Sequence, residues 1–319
     1  GLIATPKSRG TQMTKTSRAS RREFLKQLGS AGLVLSCPVR IFAQEYLPTR
    51  AIPGTTENLP VIGLGSTKPV LEIPTNGPEA VAEVIQMLLA HGGRVVDTSP
   101  RNEDIDREFG HILQEPKLQN QIFLATKINT PDLETGVAQM RQTQRLFGRQ
   151  TMDLVQIESL RGLEGHWRNL RQWKDTGEAR YIGVTVSNYS NHERLEAFMK
   201  REPLDFIHVN YSVMESLAEE RLLPLAQDRG MGVLVNRPFM NGTYFGRVNG
   251  HILPDWASEF DCESWAQFSL KYILAHPAVT CVLTETTNPM HMEENIRAAF
   301  KRLPDALTKK RMRELVRTF

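Results

Sequence analysis

Cysteine is scarce. The 319 residues hold three, Cys37, Cys262 and Cys281. So few rule out a disulfide-framed scaffold, and no CxxC pair marks a zinc site. Cys262 and Cys281 are read as two unpaired small residues. Long hydrophobic runs are also missing. The apolar stretch at residues 28–37 is too short and too rich in Gly and Ser to span a bilayer. No strand-like run leads into a GxGxxG turn, which counts against an open dinucleotide-binding sheet; GLGS at residues 63–66 is a different pattern. A basic surface is absent from most of the chain. The net charge is +3, yet residues 1–43 hold eight of the 39 Lys and Arg and only one of the 36 acids, so the remainder carries −4. That balance excludes a nucleic-acid partner.

The N-terminal basic segment has its own explanation. Residues 20–26, SRREFLK, form a full twin-arginine pattern followed by the small-residue apolar run. This predicts an export leader over residues 1–43, read by the twin-arginine translocation machinery, and an exported, periplasmic destination. Cleavage after Ala43 suits the pattern, although Ile41 is bulky for its place. A lesser alternative is lipid attachment at Cys37 within Val34-Leu35-Ser36-Cys37.

From residue 44 onward, short β-branched runs alternate with helical patterns. The runs are VIGLG (61–65), RVVDT (94–98), IFLATK (122–127), LVQIES (154–159), YIGVTV (181–186), FIHVNY (206–211), GVLVNR (232–237) and VTCVLTE (279–285). Helical stretches such as PEAVAEVIQMLLAHG, LETGVAQMRQTQRLFG and SLAEERLLPLAQDRG separate them, several ending in a capping Gly. Eight buried strands alternating with helices predict one α/β domain over residues 44–319, a (β/α)8 TIM barrel. The connection at residues 238–262 is long for a βα loop, and its aromatics predict an ordered lid in which Trp256 is a candidate pocket residue.

In such a barrel, chemistry sits at the C-terminal strand ends. Those ends carry Asp97, Lys127, Glu158, Thr185 or Val186, His208 with Asn210, Asn236 with Arg237, and Glu285. Asp97, Lys127 and Glu158 end three consecutive strands and are expected to converge, two carboxylates around one ammonium. A purely structural ion-pair cluster explains the same pattern equally well. A metal on Asp97, Glu158 and His208 is disfavoured because Lys127 already fills the cationic role, so no metal site is expected.

The ordered segments DTSP…FG, ATK, MDLVQI, GEARYIGVT, FIHVNYS, GVLVNRPF, SWAQFSLKYILAHPAVTCVL and NPMHMEENIRAA resemble the aldo-keto reductases, nearest to the branch with twin-arginine leaders. The likeness runs from about residue 50 to residue 300. It implies a barrel that binds NADP(H) and reduces the carbonyl of a small-molecule substrate. It also implies a tetrad of Asp, Tyr, Lys and His, of which Asp97 and Lys127 match. Gly110 holds the loop register, which puts Asn102 at the tyrosine position, and Glu158 stands for the histidine. An amide is no general acid; a carboxyl kept protonated in an apolar pocket is one. The expectation is therefore that Asn102 orients substrate and Glu158 supplies the proton. For the cofactor the likeness assigns Thr185 (beside Val186), His208, Asn236, Arg237, Thr286, His291, Glu294 and Asn295, with Glu285 placing a negative charge near the phosphates. The alternative is a barrel that has lost this chemistry and binds a ligand or partner.

Overall fold

The computed structural model describes residues 45–319. The twin-arginine pattern, the cleavage site and Cys37 lie outside the described residues. A short antiparallel hairpin, β1 (Thr49–Ala51) and β2 (Asn58–Pro60), precedes eight strands. These are β3 (Ile62–Gly65), β4 (Val95–Asp97), β5 (Phe123–Ile128), β6 (Met152–Glu158), β7 (Ala179–Thr185), β8 (Phe206–Asn210), β9 (Gly232–Asn236) and β10 (Cys281–Thr284). Each pairs in parallel with its sequence neighbours, and β10 returns to β3 to close the barrel. All eight coincide with the β-branched runs of the sequence.

Strand side chains alternate between the two faces of the pleat. One set meets the helices in the large core; the other fills the barrel with Val95, Phe123, Ala125, Leu154, Phe206, Leu234, Cys281 and Leu283. Ile52 and Leu59 of the hairpin join this inner set and stopper its N-terminal end. Arg50 ties the hairpin down through hydrogen bonds to the carbonyls of Leu274 and Val279, each at 2.6 Å. The inner phase of period two continues upward from Phe123 and Ala125 to Lys127, from Leu154 to Gln156 and Glu158, and from Phe206 to His208. This is how an apolar plug ends in a polar mouth.

The helix Glu103–Leu113 packs against the helix Leu133–Leu146 through Gly110, where a Cβ would come 2.1 Å from the Leu146 carbonyl oxygen. That backbone cannot yield cheaply. Gly110→Ala is expected to cost about 1 to 3 kcal/mol through overpacking, read by thermal unfolding; an unchanged melting temperature would sink the account. One helical pattern is cut short. SLAEERLLPLAQDRG becomes a 3-10 turn, Leu217–Glu219, and a helix, Leu222–Asp228. Pro224 lacks an N–H for the carbonyl four residues back and is tolerated only in a first turn. The connection at residues 238–262 is ordered as Met240–Gly242, Thr243–Val248 and Asp255–Phe260.

Candidate active site at the barrel mouth

A cavity of about 490 Å³ opens at the C-terminal ends of the strands. Asp97 and Lys127, 5% and 7% exposed, lie in its floor as an ion pair. Lys127 also donates to the Thr98 carbonyl at 3.0 Å. The free Asp97 oxygen accepts from Gln156 Nε2 at 3.0 Å. The same Nε2 reaches the Thr126 carbonyl at 3.4 Å, so the amide orientation is settled by two acceptors. Gln156 Oε1 therefore faces His208 Nδ1, at 3.0 Å, and that nitrogen must donate. Burial drives the His208 pKa down to about 4, Asp97 opposing and Lys127 adding to the fall. The ring is neutral at pH 7, and its Nε2 is an acceptor without a partner.

Glu158 does not join this pair. It stands at the cavity rim, bound to Arg161 at 2.6 Å and accepting from Ser99 at 3.4 Å. The expected triangle of two carboxylates around Lys127 is corrected to two separate pairs, because Arg161, three residues on, reaches Glu158. The apolar pocket expected around Glu158 is corrected with it: its partners are the Arg161 guanidinium and the Ser99 hydroxyl.

Asn102 is corrected too. It is exposed, lies outside the cavity lining, and caps the helix Glu103–Leu113 by accepting from Asp104 N at 2.9 Å. The cause is its neighbour. Arg101 turns inward and donates to Asp106 and Thr98, each at 3.1 Å, and to Ser66 at 3.3 Å. Asn102 has extended dihedrals, φ −52° and ψ 133°, so burying Arg101 turns the next side chain outward. No local signal separates Arg101 from the charges around it. Gln156 was missed for a simpler reason, since counting back two residues from Glu158 would have found it.

Of the residues assigned to a cofactor, Thr185, His208, Asn236 and Arg237 line the cavity. Asn236 donates to the Val186 carbonyl at 2.9 Å, leaving its Oδ1 buried and unpartnered. Arg237 is held by Glu215 at 3.2 Å. Thr286, His291, Glu294 and Asn295 lie outside the lining. Thr286 accepts from Asn288 N at 3.0 Å in its own turn, and His291 is exposed. Glu294 is engaged by Ser264 and by Gln267, fastening two helices together. Glu285 projects into the cavity over Gly65, where a Cβ would meet its Cγ at 3.0 Å. Burial among protein atoms raises its pKa; Lys68 pulls it back, Asp97 adds to the rise, and Lys127 and Arg101 oppose it. Phe239 and Phe245 of the lid form the outer wall, 4.7 Å between ring centroids. Lys68 reaches the lid at the Asn241 carbonyl, 3.4 Å away. Trp256 is not in the wall; it packs on Phe260 and Phe268 beneath Arg311.

Solved structures with the same fold include an aldo-keto reductase of Bacillus halodurans in its holo form, with TM-score 0.69 and 18% identity over 85% of this chain and 96% of that one. Another is a Klebsiella pneumoniae aldo/keto reductase in complex with NADP and acetate, with TM-score 0.66 and 16% identity over 86% and 96%. Among curated proteins, the NADH-specific methylglyoxal reductase of Escherichia coli is 24% identical over 43% of this chain and 49% of its own. The Bacillus subtilis aldo-keto reductase YhdN is 26% identical over 52% and 54%. The alignments span about half the length of these curated relatives. The model of the aldo/keto reductase family matches residues 61–315, the whole barrel from the strand β3 to the last helix. This chain belongs to the aldo/keto reductase family.

Proposed function

We propose that the barrel is an NAD(P)H-dependent reductase of a carbonyl compound, with its site rebuilt around Lys127. The observation that carries this is the ammonium in the cavity floor, held by Asp97 and the Thr98 carbonyl. An ammonium has three N–H groups, and two are accounted for. The third is available to a ligand oxygen in the cavity that Lys127 lines. An oxygen gaining negative charge beside a fixed, partly dehydrated ammonium is strongly stabilised. Lys127 thus takes over the role of oxyanion donor, and the alkoxide takes its proton from solvent, one for each hydride transferred. Asn102 and Glu158 are not needed for this.

The residues present fit one end of the cofactor. The Asn236 Oδ1 lacks a donor and the Thr185 hydroxyl both gives and accepts, which suits a primary carboxamide. A bound reduced nicotinamide supplies the hydride. Toward the rim, Lys68 and Arg237 are the cations available to phosphates, and Glu285 opposes them. The relatives support either nucleotide: one is named NADH-specific and another was solved with NADP.

Titration with NADH and NADPH, followed by tryptophan fluorescence, tests the reading. Saturation below millimolar cofactor is expected, and none at millimolar sinks it. On a carbonyl panel, Lys127→Met is expected to lose turnover with cofactor affinity nearly unchanged. A second reading, a barrel that binds without turning over, is favoured by the outward position of Asn102 and the lack of any tyrosine in the lining. Activity seen only after Asn102→Tyr with Glu158→His would favour it. We also propose export of the folded chain, on the strength of SRREFLK alone. Replacing Arg21 and Arg22 by Lys is expected to retain the protein in the cytoplasmic fraction.

A further inference from the structure

We propose that the cavity takes a ligand bearing a cationic nitrogen, an ammonium or guanidinium, and that Glu285 selects it. This rests on the same cavity as the reductase reading but not on turnover. Six charged residues line the cavity: Lys68, Asp97, Lys127, Glu158, Arg237 and Glu285. Four are matched within the protein, Asp97 with Lys127, Glu158 with Arg161 and Arg237 with Glu215. Lys68 has the Asn241 carbonyl. Among the described residues, Glu285 alone of the six has neither hydrogen bond nor ion pair.

Glu285 is nevertheless placed rather than loose. It lies against Gly65, whose missing Cβ makes the room. The groups that face it are Lys68 from the helix Thr67–Leu71, Asp97 from β4, Arg101 from the loop after β4, and Lys127 from β5. The two cations nearest the floor are already bound elsewhere, Lys127 to Asp97 and Arg101 to Asp106. A second observation points the same way. The buried polar atoms without partners in this lining are His208 Nε2 and Asn236 Oδ1, and both are acceptors. His208 is 2% exposed, and its lone pair is fixed by the donation of Nδ1 to Gln156. These two buried atoms lack donors, and Glu285 lacks a cation. An anionic group placed against Glu285 itself would meet a like charge, whereas the cations of the lining lie to its sides.

A cation beside Glu285 favours its carboxylate and lowers its pKa. Since burial raises that pKa, binding should release protons, and affinity should rise with pH across the Glu285 titration. The test uses cofactor-free protein and three probes of one size: butylammonium, 1-butanol and butyrate. Ligand-detected NMR gives affinity, and calorimetry in two buffers of different ionisation enthalpy gives proton release. Butylammonium is expected to bind about tenfold tighter than the other two, with proton release. Glu285→Gln keeps the shape and should abolish both the preference and the pH dependence. Lys68→Met removes a competing cation and should tighten butylammonium binding. Butylammonium binding that is absent, no better than butyrate, or unaltered by both substitutions would overturn the inference. Because no nicotinamide is present, that failure would leave the reductase reading standing. Butylammonium binding without any NAD(P)H binding would remove only the reductase reading.

Discussion

Lys127→Met is expected to lower the free energy of unfolding by about 3 to 5 kcal/mol, the usual cost of stranding one member of a buried ion pair. Asp97 is 5% exposed and would keep only the Gln156 amide as a donor. Adding Asp97→Asn should return much of the loss, because removing both charges leaves no isolated one. The coupling between the two sites, taken from urea unfolding of the four proteins in the cycle, is the quantity to measure. Additive losses would mean that the pair contributes no specific energy. The same experiment bears on function. The double variant separates turnover lost with the ammonium from turnover lost with the fold.

Acid sensitivity centred on His208 is the second large effect. Burial sets its folded pKa at about 4, against a reference of 6.5. Between those values the unfolded chain takes up a proton that the folded chain refuses. Stability therefore falls as pH drops from about 6.5 toward 4, and is fully present above that window. The slope for one such group reaches about 1.4 kcal/mol per pH unit, and the total is on the order of 3 kcal/mol. His276, also pushed to about 4 by burial, acts in the same window and direction. His208→Gln keeps a donor for Gln156 and cannot titrate. Its stability profile from pH 7 to pH 4 is expected to be shallower than that of the parent. Parallel profiles would show that the imidazole is not held neutral by the fold.

The network that holds His208 also shows how far local reading reaches. Phe206 and His208 share a face because strand side chains alternate, and that alternation was visible in FIHVNY. The same rule applied to LVQIES leads from Leu154 through Gln156 to Glu158, and the middle residue is the amide that links Asp97 to His208. Pro224 likewise announced its own effect, a helix that starts two residues before it. Arg101 did not. Its burial follows from where Ser66, Thr98 and Asp106 meet in space.

The chain's own pattern determined the eight strands, their order, the closed barrel and the set of residues at its mouth. Burying one face of each strand requires those periodicities, and they are written in adjacent residues. Which charges pair, which amide faces water and which carboxylate is left alone were decided only by tertiary structure. Lys127 chose Asp97 over Glu158 because Arg161 reaches Glu158 from the next turn. Asn102 faces outward because Arg101 fills the inside. Among the described residues Glu285 stands unpaired over Gly65 because Lys127 and Arg101 are bound to other carboxylates and Lys68 extends to the Asn241 carbonyl. Pairing is a competition among side chains brought together from distant parts of the chain, and its outcome depends on distances of a few ångströms that no local pattern records.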